Sequence, residues 1–438
     1  MYDEVFFHSV TAAVMETGKY TLTAAPDLYQ HEILFYGPLY FQAQAFIMKF
    51  LGTGIWQFRL LNMLCGFGVL GIIALLLKHF RVPKKAILLA VLFLLLENVF
   101  GQVLHSARMD FVALFLILGG IYSTLVASKQ NKDQAKWLYH LAGALSVGLA
   151  LITTPRIVFL LPLYALVLLS TANYRSIAVL LGIAFSPLAY WVFIRVGFSD
   201  YLAMFQHPVV AGHIGSGFGL SSLFRQWYNV PLVLFWLGTL VKFFRSKIED
   251  APKRYFLIGL HASIVLFVVL IKEQAPYSAM LNAMLVLCIT TSHILIPHLS
   301  SLIPNLSSLI PNPSSLIPNL SSLILLSLPI FTAKTIALGY TWQERNPKST
   351  LAQIMHIDKK KVYADPQFYY ALRERGIAFE FLEHHKEEPL NGQVIIAQKP
   401  IPRNHKYAYL TTLFTYPQAE IYEGRSVAES ELSKITVN

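Results

Sequence analysis

Residues 57–78 read QFRLLNMLCGFGVLGIIALLLK, and the apolar middle of this stretch is long enough to cross a lipid bilayer. A transmembrane helix needs roughly 17–25 residues, most of them apolar. Comparable runs lie at 86–104, 109–127, 137–154, 175–195, 228–244, 255–271, 278–297 and 322–340. A shorter run at 157–170 follows Pro155 and indicates a kinked or broken helix. Because a chain in lipid must satisfy its backbone hydrogen bonds internally, the pattern predicts an α-helical polytopic membrane protein with about ten transmembrane helices.

Composition excludes most soluble classes of protein. Of the 438 residues, 55% are hydrophobic and only 13% are charged, and the mean hydropathy is +0.52. No nucleic-acid-binding motif is present, so we attribute the net charge of +11 to membrane topology and to contact with anionic lipids. Cys65 and Cys288 both lie inside predicted spans, which argues against a disulfide framework and against a thiol metal site.

Basic residues cluster in alternate loops, at positions 78–85, 129–136, 175 and 242–254. By the positive-inside rule these loops are cytoplasmic, and the opposite loops, together with the C-terminal tail, are external. We therefore expect an integral, multi-pass protein of the plasma membrane (the bacterial inner membrane), with its active site and C-terminal domain extracytoplasmic. No apolar segment precedes Asp3 to carry it across the membrane, so we also expect the first helix of the fold to lie ahead of Met1.

The changes in composition along the chain predict three domains. They are an external loop with interfacial helices at 1–56, a transmembrane helical domain at 57–341, and a small external α/β domain at 342–438. The last of these is predicted from a short strand at 362–364, a helix at 366–375, and further strands at 378–382 and 394–397.

Residues 295–324 contain a seven-residue repeat, which reads LIPNLSS at 302–308 and recurs twice more. A proline in every unit forbids a continuous helix, so the period does not indicate a coiled coil. We interpret the repeats as a tandem duplication in a cytoplasmic loop, with partner binding as the alternative.

The acidic pair Asp3-Glu4 is the first candidate for chemistry. Carboxylates beside membrane-spanning segments are costly to keep unless they bind or react, which favours a catalytic role. One of two adjacent carboxylates can face a substrate while the other orients it or bonds to the backbone. The alternative is a solvated helix start, where the helix dipole favours Asp and Glu.

The short external loop from His105 to Asp110 is the second candidate. Arg108 is suited to holding a phosphate through paired hydrogen bonds, and Asp110 to binding a sugar hydroxyl or steering the arginine. The alternative is an interfacial pair that caps the helix beginning near Asp110.

Glu97 is a further candidate, because an ionisable residue inside a predicted span is a functional candidate by its position. The alternative is that Glu97 forms a hydrogen bond with a neighbouring helix.

Further cations lie at external helix ends. Arg59, Arg156 and Lys272 share the predicted face of Asp3 and Arg108, and together they suit a site for an anion. The alternative for each of them is an anchor whose long side chain reaches the headgroup layer.

Five motifs occur in a characteristic order within residues 1–300: Asp3-Glu4, Tyr36-Gly37-Pro38-Leu39-Tyr40, Arg59-Leu60-Leu61-Asn62, Arg108-Met109-Asp110 and Pro276-Tyr277. In this order the chain resembles the polytopic glycosyltransferases of the C superfamily. The resemblance is to the protein O-mannosyltransferase and lipid A aminoarabinose transferase group, of the family 39 type.

The resemblance implies a role for several residues. Asp3 would be the catalytic carboxylate, Glu4 its neighbour, Asp110 a second acidic residue of the site and Tyr277 an aromatic near the donor phosphate. The chain lacks the lysine of aminoarabinose transferases and the His-Pro-Pro of mannosyltransferases at its Tyr36-Gly37-Pro38 motif. This departure leaves the sugar and the acceptor open, and it leaves Arg59, Arg108 or Arg156 to hold the phosphate.

The predicted function is transfer of a sugar from a polyprenyl-phosphate donor to a hydroxyl of an envelope lipid, glycan or protein. The reaction would invert the anomeric carbon with Asp3 as general base. The chemistry needs no cofactor, although a divalent cation bridging the phosphate and Asp3 is compatible with it. The alternatives are a polysaccharide polymerase or ligase that uses a pyrophosphate-linked glycan, and a transporter of lipid-linked saccharides, whose internal repeats we do not see here.

Overall fold

The computed structural model describes most of the chain up to residue 295 and parts of the remainder. The described residues are 2–22, 32–206, 229–245, 248–270, 275–295, 328, 332–333, 336, 362–364, 368–374, 376–377, 379–381, 394–397, 410–416 and 419–424. They divide into two compact units. We call residues 34–40 and 60–333 the helical unit, and residues 1–33, 41–59 and 334–438 the mixed unit.

The helical unit contains the apolar segments of the sequence. Its elements are α3 (Ile55–His79, whose first turn belongs to the mixed unit), α4 (Lys84–Leu96), α5 (Asn98–Leu104), α6 (Asp110–Ala127), α7 (Asp133–Thr153), a 3-10 turn (Pro155–Leu160), α8 (Leu161–Thr171), α9 (Tyr174–Ala189), a π-helical segment (Tyr190–Val196), α10 (Phe198–Gln206), α11 (Asn229–Arg245), α12 (Ala251–Leu270) and α13 (Ala275–Leu295).

Five of the described helices are long and apolar enough to cross a membrane, at 55–79, 110–127, 133–153, 174–196 and 251–269. The pair α4 and α5, bent by 69°, gives a sixth, and shorter apolar helices lie at 155–171, 230–244 and 278–292. Every span predicted up to residue 297 therefore coincides with a helical segment. The predicted span at 322–340 and the seven-residue repeats lie almost entirely outside the described residues, so the number of crossings stays a prediction.

Small residues bring α6 and α7 into backbone contact. A Cβ added to Gly120 would lie 2.8 Å from the Gly143 carbonyl oxygen, and one added to Gly143 would lie 2.9 Å from the Gly120 carbonyl oxygen. In lipid the hydrophobic effect does not drive helices together, so close packing of this kind contributes much of their association. Larger side chains at these positions would push the two helices apart.

Glu97 lies at the sharp bend between α4 and α5. Its backbone is extended, and its carboxylate accepts hydrogen bonds from the amides of Val99 (3.0 Å) and Phe100 (2.7 Å). The first amides of a helix have no partner inside the helix, so this side chain satisfies two of them at a buried position. Glu97 is therefore a helix cap, whose carboxylate binds the backbone of α5.

The mixed unit combines helices from the start of the chain with a sheet from its end. Its helices are α1 (Tyr2–Thr17), most of α2 (Pro38–Leu51) and the short α14 (Tyr369–Glu374). Its strands are β1 (Val362–Ala364), β2 (Phe379–Phe381), β3 (Val394–Ala397), β4 (Leu410–Tyr416) and β5 (Ala419–Gly424).

The five strands form one sheet in the order β2-β1-β3-β5-β4. β1 pairs in parallel with β2 and β3, while β5 pairs antiparallel with β3 and β4. All three residues of β1 are buried, as expected for a parallel strand whose two faces are covered. The strand–helix–strand order predicted for 362–382 and the strand at 394–397 are present in the structure, whereas the hairpin of β4 and β5 was not predicted.

The cap at the bend gives a first testable prediction. We expect Glu97→Ala to lower the free energy of unfolding by about 1–2 kcal/mol, because two buried amides lose their acceptor. The measurement is the thermal unfolding temperature of the detergent-solubilised protein. Gln102→Ala is the matched control, since Gln102 is exposed on the same short helix. Equal unfolding temperatures for the two variants would contradict the capping role.

Candidate active site

The acidic pair lies in the first turn of α1, and Glu4 is fixed by an arginine from the start of α3. Arg59 donates from Nε to Oε1 of Glu4 at 2.6 Å and from Nη2 to Oε2 at 2.8 Å. Glu4 is buried, and this two-pronged geometry is the strongest form of a guanidinium–carboxylate contact. Both residues belong to the mixed unit. The backbone of Asp3 is part of α1, but its side chain lies outside the described part of the structure.

His8 lies one helical turn after Glu4 and was not singled out from the sequence. Its Nε2 is 3.1 Å from the Thr53 carbonyl oxygen, and its Nδ1 is 2.7 Å from the hydroxyl of Tyr369. Burial, with the charge of Arg373 as a smaller cause, lowers the pKa of His8 from 6.5 to about 3. The ring is therefore neutral at any pH at which the protein would work. The signal in the sequence was the four-residue spacing from Glu4, which places both residues on one face of α1.

In the helical unit, Arg108 and Asp110 form a buried ion pair. Nε of Arg108 donates to Oδ2 of Asp110 at 2.7 Å, and the two side chains are only 6% and 1% exposed. Asp110 is the first residue of α6, where the helix dipole also favours a negative charge. The structure thus brings together two pairs of predicted site residues, Glu4 with Arg59 and Arg108 with Asp110.

Asn62 supports the loop that leads to Arg108. Its Nδ2 donates to the carbonyl oxygens of Val103 and Ser106, both at 2.7 Å. Val103 lies in the last turn of α5, and its carbonyl also accepts from the amide (3.1 Å) and the hydroxyl (2.8 Å) of Ser106, which lies just beyond the helix. A buried asparagine in an otherwise apolar run is a recognisable signal, but the sequence does not show which carbonyls it meets.

Arg156 lies at the break between α7 and α8, beside the Tyr36-Gly37-Pro38 motif. Its guanidinium carbon is 5.6 Å from the centre of the Tyr36 ring, a cation–π contact. A Cβ on Gly37 would overlap the carbonyl oxygen of Ile152, so this position requires glycine for the motif to pack on the end of α7. The motif and Arg156, one of the cations predicted to hold the donor phosphate, therefore meet within the helical unit.

Besides Asp3, two predicted site residues have side chains that lie outside the described part of the structure. Lys272 lies outside the described residues, and of Tyr277 only the backbone, near the start of α13, is described. Among the residues that the structure describes, no group of three or more His, Cys, Asp or Glu side chains could hold a metal ion.

The fold defines a polytopic integral membrane protein in which arginines hold two buried carboxylates, Glu4 and Asp110. Residues 27–173 match the family described as dolichyl-phosphate-mannose-protein mannosyltransferase (PMT). This match covers less than half of the chain; it indicates a membrane glycosyltransferase and agrees with the resemblance seen in the sequence. No curated protein sequence matches the chain significantly.

Solved structures share the fold over nearly the whole chain. ArnT from Cupriavidus metallidurans bound to undecaprenyl phosphate has a TM-score of 0.59 at 13% identity, covering 96% of this chain and 93% of that one. The apo state of the same protein has a TM-score of 0.60 at 14% identity, covering 96% and 92%. The Archaeoglobus fulgidus oligosaccharyltransferase, in complex with Zn and sulfate, has a TM-score of 0.50 at 12% identity, covering 90% and 64%. These likenesses confirm the predicted polytopic helical fold.

The buried pair gives a second prediction. We expect Asp110→Ala to lower the free energy of unfolding by about 3–5 kcal/mol, because it removes a carboxylate from a buried guanidinium. The double variant Arg108→Leu with Asp110→Ala should recover most of this loss, since both charges are then absent. Thermal unfolding in detergent measures both effects.

The exposed pair Lys253 and Asp250, whose charged atoms are 3.0 Å apart, supplies the control for this prediction. Lys253→Ala should change the free energy of unfolding by less than about 1 kcal/mol, because solvent screens an exposed pair. A loss for Asp110→Ala no larger than that for Lys253→Ala would show that the buried pair does not behave as one unit.

Proposed function

We propose that this protein transfers a sugar from a polyprenyl-phosphate donor to a hydroxyl of a cell-envelope lipid, glycan or protein, on the extracytoplasmic face of the inner membrane. The observation that carries the proposal is the fold shared over 96% of the chain with an ArnT that binds undecaprenyl phosphate. The match of residues 27–173 to a family that uses dolichyl-phosphate-mannose supports a lipid-phosphate donor independently.

The proposed reaction is a single displacement at the anomeric carbon. The acceptor hydroxyl attacks this carbon and its proton passes to the Asp3 carboxylate, while the bond between the carbon and the phosphate oxygen breaks. The electron pair leaves with polyprenyl phosphate, which needs no general acid because it is a stable anion. Attack opposite to the leaving group inverts the configuration of the sugar.

The carboxylates of the site have different proposed roles. Glu4 is held by Arg59, so we propose that this pair sets the position of the first turn of α1, in which Asp3 lies. Asp110 accepts a hydrogen bond from Nε of Arg108, and it is proposed to bind a hydroxyl of the donor sugar or to orient Arg108. A divalent cation held by Asp3 stays a prediction. Measuring the transfer activity with and without a chelator tests whether the reaction needs this cation.

Stabilisation of the departing phosphate is assigned to cations. The candidates are Arg59, Arg108, Arg156 and Lys272, with Tyr277 as an aromatic neighbour of the donor. Arg59 and Arg108 each have a carboxylate partner that compensates much of their charge. The guanidinium of Arg156 lies over the ring of Tyr36, in the motif where aminoarabinose transferases carry a lysine, so we propose Arg156 as the principal phosphate ligand.

The general base gives a third prediction. We expect Asp3→Asn to lower the rate of transfer by about 100- to 10,000-fold at unchanged protein level, because the acceptor hydroxyl loses its proton acceptor. The measurement is sugar transfer by membranes that contain the variant, with polyprenyl-monophosphate and polyprenyl-pyrophosphate donors compared side by side.

Asp133→Asn is the control for the general base, since Asp133 is an exposed carboxylate in the first turn of α7. It should transfer at the wild-type rate. Full activity of the Asp3→Asn variant would remove Asp3 from the mechanism, and transfer from the pyrophosphate donor alone would favour a polymerase or ligase instead.

The phosphate ligand gives a fourth prediction. We expect Arg156→Ala to raise the apparent KM for the lipid donor about tenfold or more, the effect of losing a charged hydrogen bond. Arg175→Ala is a closely matched control, because Arg175 also stacks on a tyrosine, with its guanidinium carbon 5.7 Å from the Tyr174 ring, but at a helix end predicted to be cytoplasmic. Equal KM values for the two variants would make Arg156 an anchor rather than a ligand.

A further inference from the structure

We propose that α14, near the C-terminus, positions the helix that carries the acidic pair, so that His8, Tyr369 and Arg373 are positioning residues of the active site. The inference rests on the proposed function, because it assigns the catalytic base to α1. It gives the C-terminal part of the mixed unit a defined task, which is to fix the placement of a catalytic helix from the opposite end of the chain.

The first contact is a hydrogen-bond chain with a single arrangement of protons. The Thr53 carbonyl oxygen can only accept, so Nε2 of His8 donates to it, and Nδ1 of His8 must then accept from the hydroxyl of Tyr369. His8 and Tyr369 are both buried. Burial also raises the pKa of Tyr369, which keeps its hydroxyl protonated and able to donate.

The same residues pack through their rings. His8 meets Phe58 and Tyr369 edge to face, with ring centres 4.5 Å and 4.9 Å apart. Tyr369 in turn meets Phe379 of β2 at 5.4 Å. The hydrogen bonds therefore lie inside an aromatic cluster that connects α1 to the sheet, where water does not compete for them.

The second contact is an ion pair at the far end of α1. Nη2 of Arg373 donates to Oε1 of Glu16 at 2.5 Å. Glu16 lies eight residues after His8, about 12 Å along the helix axis, and Arg373 lies one turn after Tyr369. Two contacts at this separation, made by one face of α14, fix both the position and the direction of α1.

The positions along α1 connect these contacts to the acidic pair. Glu4 and His8 are four residues apart and share a face, so a displacement of His8 moves the first turn with it. Thr53, the other partner of His8, lies just before α3, whose first turn carries Arg59. Because a misplacement of about 1 Å in a reacting group lowers a rate by about a hundredfold, small shifts of α1 should be visible in turnover.

Tyr369→Phe is the variant that tests the first contact, because it removes one hydroxyl and keeps the ring. In the full-length protein we expect kcat to fall about three- to tenfold, the effect of one buried hydrogen bond, while the KM for the lipid donor changes less than about twofold. Hydrogen exchange of the α1 amides should become faster. The control is Tyr164→Phe, since the Tyr164 hydroxyl is buried and has no hydrogen-bond partner in the described part of the chain.

A charge reversal tests the second contact. Glu16→Arg and Arg373→Glu should each lower kcat about two- to fivefold, and the double variant should recover most of the loss, because the ion pair is restored with its ends exchanged. Glu16 and Arg373 are partly exposed, with 54% and 26% of their side chains accessible, so neither substitution removes a buried apolar side chain.

The outcomes separate this inference from the proposed function. Unchanged hydrogen exchange of α1 in Tyr369→Phe overturns the inference, because the contact then does not hold the helix. Faster exchange with an unchanged kcat overturns it as well, since the helix would then be held without any effect on catalysis. A different variant tests the proposed function: full activity of Asp3→Asn would contradict it.

Discussion

The requirement that every buried backbone polar group find a partner governs the helical unit. A continuous helix meets this requirement by itself. A bent helix leaves amides and carbonyls without a partner in a region that water does not reach. At the bend between α4 and α5, the carboxylate of Glu97 accepts hydrogen bonds from two amides, and at the other end of α5 the side-chain amide of Asn62 donates to two carbonyls. These two side chains make it possible for the chain to leave its helical path and enter the loop that carries Arg108.

The same principle applies to charge. Glu4 and Asp110 are both almost fully buried, and each is hydrogen-bonded to an arginine at 2.6–2.7 Å. Neutral pairs of this kind avoid the large cost of an isolated buried charge, although they add little net stability compared with apolar packing. The arginines of these two pairs therefore carry a partly compensated charge. Arg156, whose guanidinium lies over the Tyr36 ring, is the cation that we propose to bind the phosphate.

The sequence predicts the elements of this fold well and their long-range partners poorly. Runs of apolar residues identify the described spans because length and hydropathy are local properties. The buried contacts join residues far apart in the chain, Glu4 with Arg59 and His8 with Tyr369, and no periodicity encodes such partners. Glu97 is instructive, since an ionisable residue inside a span is by default a functional candidate, yet its position before α5 makes it a cap. The β4–β5 hairpin is not predicted from the sequence, because the apolar content of its second strand, AEIYEG, is modest.

The contacts of α1 also bear on the order in which the protein matures. α1 leaves the ribosome well before its partners do, because Tyr369 and Arg373 lie more than three hundred residues later in the chain. Domains generally fold as units during synthesis, but this unit is interrupted by the whole helical bundle. A nascent chain that stalls within the bundle therefore has its carboxylates but not the partners that hold their helix. Such a fragment lacks the contacts that order α1, the helix proposed to carry the catalytic base.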